Sequence, residues 1–97
     1  MSHKESFCAK IWIENSLDCA RIIYVEPWGE DYTLLPQQKL EIVARSASEL
    51  PYFHLFEYKD STQVYLERTD DFDVLQDGFR VACGHQRQAT LDAGLEM

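Results

Sequence analysis

The sequence predicts a small all-β protein, an antiparallel β-sandwich of about seven to eight short strands. Apolar and polar residues alternate with a period of two in several segments, and β-branched and aromatic residues fill other short runs. Turn residues separate these segments at intervals of roughly 8–12 residues. Amphipathic helices, which an α/β fold would need between its strands, are not indicated. The 97 residues are expected to form a single domain with flexible ends at residues 1–6 and 85–97.

The first half of the chain contains four predicted strands, each followed by a stop signal. Residues 7–14 alternate strictly and end at Asn15-Ser16, and residues 20–26 are rich in isoleucine, valine and tyrosine. A turn follows at residues 26–29, where Pro27 restricts φ and Gly29 permits a conformation that other residues avoid. Residues 30–35 form a short strand that ends at a proline, and residues 38–46 form the next strand.

The second half contains the most apolar segment and the clearest hairpin. Residues 52–59 carry large side chains on both faces, which indicates either a central strand covered on both sides or a strand with an exposed apolar face. Residues 62–67 follow after a tight turn and should pair with residues 52–59. Asp77-Gly78 lies between residues 74–76 and 79–81 and favours a type I′ turn. From Gly84 onward the polar tail should be a frayed end or at most a short helix.

Charge and cysteine content narrow the classes of partner. Nine basic and seventeen acidic residues give a net charge of −8, which disfavours nucleic acid and anionic membranes as partners. A basic protein or a cation would be attracted, although solubility alone also explains an acidic balance. Three cysteines without CxxC spacing indicate reduced thiols. With no apolar run long enough for a signal or a membrane span, we expect a cytoplasmic location.

The stretch from Ile11 to Ser46 carries a family resemblance. It contains Ile-Glu-Asn-Ser, then Glu-Pro-Trp-Gly-Glu-Asp-Tyr beginning at Glu26, then Leu-Leu-Pro-Gln-Gln and Leu-Glu-Ile-Val-Ala. This layout resembles small uncharacterised bacterial proteins with a Glu-Pro-Trp-Gly-Glu motif and, more broadly, is similar to immunoglobulin-like and cupredoxin-like sandwiches. The resemblance covers about a third of the chain. It implies a fold and no activity.

The likeness to cupredoxins makes copper the first cofactor to consider. His54, Cys83, His85 and Met97 occur in the order of a blue-copper ligand set. However, one residue between Cys83 and His85 is tighter than the usual ligand loop, so we expect no cofactor and keep a metal or small-ligand site at His54, Cys83 and His85 as the alternative. Cys83 and His85 could also pair on one face of an extended segment, but nothing supplies an oxyanion site, and no enzyme is predicted.

The remaining candidates point to protein binding. Glu26, Glu30 and Asp31 form one acidic cluster and Asp70, Asp71 and Asp73 another, both expected in solvated loops. Trp28 could anchor a partner or fold back to cap the sandwich. We therefore predict a non-enzymatic interaction module, with an immunity- or antitoxin-like role as one form, that binds a protein or a second copy of itself. The candidate partner-binding residues are Glu26, Trp28, Glu30, Asp31, Tyr32, Tyr52, His54, Phe56 and Tyr58.

Overall fold

The computed structural model describes residues 6–92, with side chains up to Ala89. Within them it contains eight β-strands and one short helix, which confirms the predicted all-β sandwich. The strands are β1 (Phe7–Glu14), β2 (Arg21–Glu26), β3 (Glu30–Leu34), β4 (Lys39–Ser46), β5 (Tyr52–Glu57), β6 (Ser61–Glu67), β7 (Asp71–Gln76) and β8 (Phe79–Arg80), and helix α1 is Arg87–Asp92.

The strands form two four-stranded sheets that pack face to face. The first has the order β1-β4-β7-β8 and the second the order β3-β2-β6-β5. Alternate side chains of the strands point between the sheets, as the period of two predicts, and burying each large one stabilises the fold by roughly 1.5–3 kcal/mol. The core cluster consists of Ile13, Ile23, Val25, Tyr32, Leu34, Leu40, Ile42, Ala44, Val64, Leu66 and Val74.

The second sheet is mixed rather than purely antiparallel, which corrects the sequence prediction. Strands β2 and β6 run parallel, with Glu26 opposite Tyr65, while β2 pairs with β3 and β6 with β5 in antiparallel hairpins. The two hairpins are joined through β4, which lies in the other sheet, and a parallel pair needs such a crossover. The turn after β2 and the link after β6 consequently leave the sheet at the same end.

The second acidic cluster is also placed differently from the prediction, because β7 already begins at Asp71. Arg45 on the neighbouring strand lies opposite Asp71, and its Nε is 3.2 Å from that carboxylate. Its Nη2 is 2.8 Å from Asp73, which also pairs with Arg80 at 3.1 Å. Cross-strand ion pairs therefore allow a segment that the sequence predicts to be a solvated loop to form the start of a strand.

Two predicted turns have the expected backbone. Asp77 and Gly78 have φ values of 53° and 83° between β7 and β8, as a type I′ turn requires. Gly29, at the end of the turn between β2 and β3, has a φ of 71°. The predicted turn at residues 26–29 and the predicted hairpin at Asp77-Gly78 are confirmed.

A buried asparagine holds the loop between β1 and β2. The Asn15 side chain is fully buried and its Nδ2 donates to the carbonyl oxygens of Cys19 (2.9 Å) and Leu34 (2.8 Å). Its Oδ1 accepts from the Leu17 amide at 3.0 Å. The residue thus supplies hydrogen bonds that the surrounding backbone would otherwise lack.

A buried arginine holds the turn between β5 and β6. Arg21, only 9% exposed, donates to the carbonyl oxygens of Tyr58, Lys59 and Ser61 at 3.0–3.3 Å. Its Nε donates to the Thr62 hydroxyl at 2.9 Å, and its Nη2 contacts Glu57. One guanidinium therefore connects β2 to both strands of the second hairpin.

The segment after β8 continues into the fold rather than leaving it. The Thr33 amide donates to the His85 carbonyl oxygen at 2.8 Å, and the Gly84 amide donates to the Asp31 carbonyl oxygen at 2.7 Å. Helix α1 follows, so the short helix allowed by the sequence is present. It has six residues, and no helix within residues 6–92 is long and apolar enough to cross a membrane. Residues 1–5 and 93–97, with Met97 among them, lie outside the described residues.

Candidate protein-interaction surfaces

The predicted partner-binding residues fall on two separate surfaces. Those in residues 26–32 surround the turn between β2 and β3, whereas those in residues 52–58 belong to β5 and the residue after it. Because β3 and β5 are the opposite edges of one sheet, the two groups do not form a single site. We call the first surface the Trp28 cavity and the second the β5 edge.

The Trp28 cavity is an open depression of about 410 Å³ where the two sheets meet at one end of the sandwich. It brings Glu30 of the first acidic cluster to the second cluster, because parallel pairing places the turn after β2 beside the link into β7, whereas Glu26 and Asp31 do not line it. The lining residues are Trp28, Glu30, Tyr32, Asp70, Asp71, Phe72, Asp73, Val74, Arg80, Val81, Ala82 and Cys83.

Trp28 forms one wall of this cavity and is both packed and accessible. Its ring lies 4.8 Å from that of Phe72 (centroid to centroid) at an interplanar angle of 51°, an arrangement that aromatic pairs favour. The residue nevertheless keeps 41% of its surface exposed. The indole therefore covers part of the seam between the sheets, as the capping alternative predicts, and it also keeps an aromatic face exposed to solvent.

The cavity lining is strongly acidic. It contains four carboxylates, Glu30, Asp70, Asp71 and Asp73, and one guanidinium, Arg80, which gives a formal charge of −4 + 1 = −3. Asp71 and Asp73 share the outer face of the first sheet with Arg45, which pairs with both, so with Arg45 included the group has a net charge of −4 + 2 = −2. A concave acidic surface beside an exposed indole attracts cations by charge and by the negative face of the ring.

Tyr32 lines the Trp28 cavity but is almost completely buried, which corrects its prediction as an exposed contact residue. It is 3% exposed because it faces the core from β3, and its hydroxyl donates to Glu30 Oε1 at the floor of the cavity. Burial raises the pKa of Tyr32 far above its usual range, and the bond to Glu30 raises it further. The hydroxyl of Tyr32 therefore positions the Glu30 carboxylate.

The Asp31 carboxylate already accepts hydrogen bonds from other residues of this chain. The Arg87 guanidinium makes two hydrogen bonds to it, the shorter 2.7 Å from Nη2 to Oδ1, and these hold the pKa of Asp31 below its usual range. The Cys83 thiol also donates to Oδ1, at a distance of 3.8 Å. The main role of this carboxylate is thus to attach the C-terminal segment to β3.

The alternative metal site is not assembled. His54 lies on β5, whereas Cys83 and His85 lie beside β3 at the other edge of the sheet. Among residues 6–92 no group of three or more His, Cys, Asp or Glu side chains is placed to hold a metal ion.

Cys83 and His85 are not paired with each other either. Gly84 between them has a φ of 86°, so the segment is turned rather than extended. The His85 Nε2 lies 2.8 Å from Gln76 Oε1, while the Cys83 thiol faces Asp31. The nucleophile–base arrangement considered from the sequence is therefore not formed.

The β5 edge is the most exposed apolar part of the second sheet. Tyr52, Leu55, Phe56 and Tyr58 are all large, apolar or aromatic, and at least 39% exposed. Tyr52 contacts His54 (ring centroids 5.3 Å apart) on the outer face of the sheet, where Phe56 packs edge-on against Tyr65 at 5.6 Å. Of the two sequence alternatives for this strand, the exposed apolar face is the one observed.

The register of β5 against β6 determines which backbone groups of β5 point away from the sheet. The Tyr58 amide donates to the Ser61 carbonyl oxygen at 2.8 Å, so this pair is hydrogen-bonded, and the pattern alternates along an antiparallel ladder. Phe53, Leu55 and Glu57 therefore direct their N–H and C=O groups away from β6. Within residues 6–92 no other strand pairs with this edge.

The outer face of the first sheet provides a contrast. Its cross-strand contacts are charged: Lys10 pairs with Glu41 at 3.7 Å, and Arg45 pairs with Asp71 and Asp73. Within residues 6–92, Trp12 is the large aromatic residue exposed on this face, and the Lys39 ammonium lies 5.1 Å from its ring centroid, while Phe79 is exposed at the β8 edge of the same sheet. Apolar exposure is thus less extensive on this face than along β5.

The sequence indicated the separate parts of these surfaces but not their arrangement. Leu55 and Phe72 were not singled out, because single apolar residues within strands usually belong to the core. The two acidic clusters, 40 residues apart at Glu30 and Asp70, carried no sign that they share a cavity.

Comparison with known proteins adds no further assignment. No family model matches the chain, and neither the curated proteins nor the solved structures contain a match. The resemblance to proteins with a Glu-Pro-Trp-Gly-Glu motif therefore stays a prediction.

Proposed function

We propose that this domain is a non-enzymatic protein-binding module that holds a basic segment of its partner in the Trp28 cavity. The observation that carries the proposal is the exposed indole of Trp28 in a cavity whose lining has a formal charge of −3, or −2 with the paired Arg45 included. A lysine or arginine side chain of the partner would lie against the indole with its charge directed at the carboxylates. An immunity- or antitoxin-like protein that covers a basic toxin surface is one form of this function.

The contacts within the cavity support a docking role over a purely structural one. Trp28 is supported from behind by Phe72, so its ring is held in place before a partner arrives. Glu30 is likewise held by the Tyr32 hydroxyl. Because side chains that are already ordered lose little entropy on binding, such a site favours association.

Fluorescence titration with a short peptide of alternating glycine and lysine tests the proposal. In the full chain carrying Trp12→Phe, Trp28 is the sole tryptophan and reports binding directly. We expect saturable binding that weakens at least tenfold when Asp70 and Asp71 are changed to asparagine. Affinity should also fall as salt rises from 50 to 500 mM, since the charges are partly exposed.

Two controls make the result specific. A peptide with glutamine in place of lysine should not bind. By isothermal titration calorimetry, Trp28→Ala should reduce lysine-peptide affinity about tenfold, consistent with a cation–π contact of roughly 1–2 kcal/mol, while Trp12→Ala should leave it unchanged. Equal affinities for the two peptides, or an unchanged affinity in Trp28→Ala, would overturn the proposal.

A further inference from the structure

We infer that the β5 edge pairs with the β5 edge of a second copy of this chain, forming a symmetric dimer with one continuous eight-stranded sheet. This inference concerns the opposite edge of the sheet from the Trp28 cavity and does not depend on the proposed function. It rests on the unpaired backbone of β5, its self-complementary register and its lack of free charge.

The β5 strand lacks the features that usually prevent edge pairing. Soluble proteins protect edge strands with lysine, proline, bulges or a covering segment. Edge strand β1 contains Lys10, and the outer edge of β3 is partly covered by the backbone of His85. In contrast, β5 contains neither lysine nor proline and, within residues 6–92, is not covered on its outer side.

A two-fold axis at Leu55 is the register that satisfies this edge. It places Leu55 opposite Leu55 of the second copy and Phe53 opposite Glu57, so every outward-facing backbone group of the strand finds a partner. The result is three hydrogen-bonded pairs, each exchanging two bonds. An axis at Glu57 would place two carboxylates opposite each other, and an axis at Phe53 would leave Glu57 unpaired.

The same register matches side chains on the outer face. Tyr52 faces Tyr58 of the second copy, and His54 faces Phe56, so aromatic residues meet aromatic residues across the new pair. Cross-strand aromatic pairs of this kind stabilise sheets. Pairing of the two six-residue strands alone would bury less area than stable protein interfaces do. The exposed aromatic side chains increase the area that the dimer buries.

Charge favours a second copy over a basic segment at this edge. Glu57 is the one charged residue in β5, and it is already bound by Arg21 and the Thr62 hydroxyl. The edge therefore offers an apolar strand with no unpaired charge, and a second copy supplies the same surface in matching order. The net charge of −8 on each chain opposes dimerisation at long range, so salt should strengthen it.

Sedimentation velocity of the full chain tests the inference. We expect concentration-dependent dimerisation in the micromolar range, with at least a threefold tighter dissociation constant at 500 mM than at 50 mM salt. Leu55→Lys places two ammonium groups opposite each other and should weaken the dimer at least tenfold. Trp12→Lys makes the same type of change on edge strand β1 and should have no effect.

Cysteine crosslinking tests the register. In a background with Cys8, Cys19 and Cys83 changed to serine, Leu55→Cys should form a disulfide-linked dimer under mild oxidation, because directly opposed Cα atoms lie about 5.5 Å apart. Tyr52→Cys should not, since the two sites would be six residues, roughly 20 Å, apart along the strands. Circular dichroism of each variant verifies folding.

Three outcomes would overturn the inference: a chain that stays monomeric at millimolar concentration, a dimer weakened by Trp12→Lys and not by Leu55→Lys, or equal crosslinking at positions 52 and 55. Peptide titration of Leu55→Lys separates the two proposals. The Leu55→Lys variant should bind the lysine peptide with unchanged affinity. Conversely, the Trp28→Ala variant should still dimerise.

Discussion

Replacing Arg21 with methionine should destabilise the domain by about 3 kcal/mol. Methionine fills much of the same space, so the loss comes from hydrogen bonds to the carbonyl oxygens of Tyr58, Lys59 and Ser61. Nη2 has two protons for Tyr58, Ser61 and Glu57, so one of its bonds is shared; at roughly 1–1.5 kcal/mol net for each bond from this charged donor, the loss is about 3 kcal/mol. These acceptors belong to the backbone, so they are present in every variant. A second substitution therefore cannot remove the carbonyl groups that lose their donor.

Neighbouring contacts limit this estimate. The Thr62 hydroxyl keeps a bond to Glu57 Oε1 at 2.9 Å after the arginine is lost, and the Glu57 side chain is 62% exposed and can be rehydrated. The ion pair itself therefore adds at most about 1 kcal/mol. For a domain of this size, a loss of 3 kcal/mol lowers the melting temperature by roughly 12–24 °C.

Urea unfolding followed by circular dichroism at pH 7 measures this loss for Arg21→Met. The matched control is Glu57→Gln, which removes the charge but keeps an acceptor and should cost less than about 1 kcal/mol. If Arg21→Met is destabilised no more than Glu57→Gln, the arginine acts only as a surface ion pair and the reasoning is refuted.

Two further predictions concern pH. Because Arg87 lowers the pKa of Asp31, the stability from this pair is present above the unfolded-state pKa, near 3.9, and is lost as the pH falls through the folded-state value. Urea unfolding should therefore show a steeper loss of stability from pH 5 to 2 in the wild type than in Arg87→Gln, and parallel profiles would contradict this. Asn15→Asp places a carboxyl against the carbonyl oxygen of Leu34, which raises its folded-state pKa. Its stability should thus fall from pH 3 to 7 relative to Asn15→Ala, and a constant difference would exclude this effect.

The strands could be predicted because their signals are local. Alternation in residues 7–14 and the Asp77-Gly78 turn depend on backbone preferences that act over a few residues, and the structure has β1 and the β7–β8 hairpin at those positions. The start of β7 at Asp71 was missed because the charge that balances it, Arg45, lies 26 residues earlier on another strand.

The arrangement of the candidate site depends on contacts that local patterns do not encode. Parallel pairing of β2 with β6 brings Glu30 and Asp70 to one cavity, and it results from a crossover through the other sheet. Tyr32 likewise looked like part of an exposed turn. Its burial depends on register, since it pairs with Ile23 and both face the core.

Together, the two surfaces have a consequence that neither has alone. In a dimer joined at β5, the combined sheet has the order β3-β2-β6-β5-β5-β6-β2-β3, so each β3 and its Trp28 cavity lies at an outer edge. Seven interstrand spacings of about 4.8 Å separate the two β3 strands by roughly 34 Å. The two β5 strands are antiparallel and each cavity lies at the Tyr52 end, so the cavities are also displaced by roughly 20 Å along the strands. Dimerisation therefore leaves both acidic cavities open and presents them at a fixed separation of about 40 Å. A partner with two basic segments that can span this distance would bind both cavities at once, and the second contact would form at the high effective concentration of a linked site.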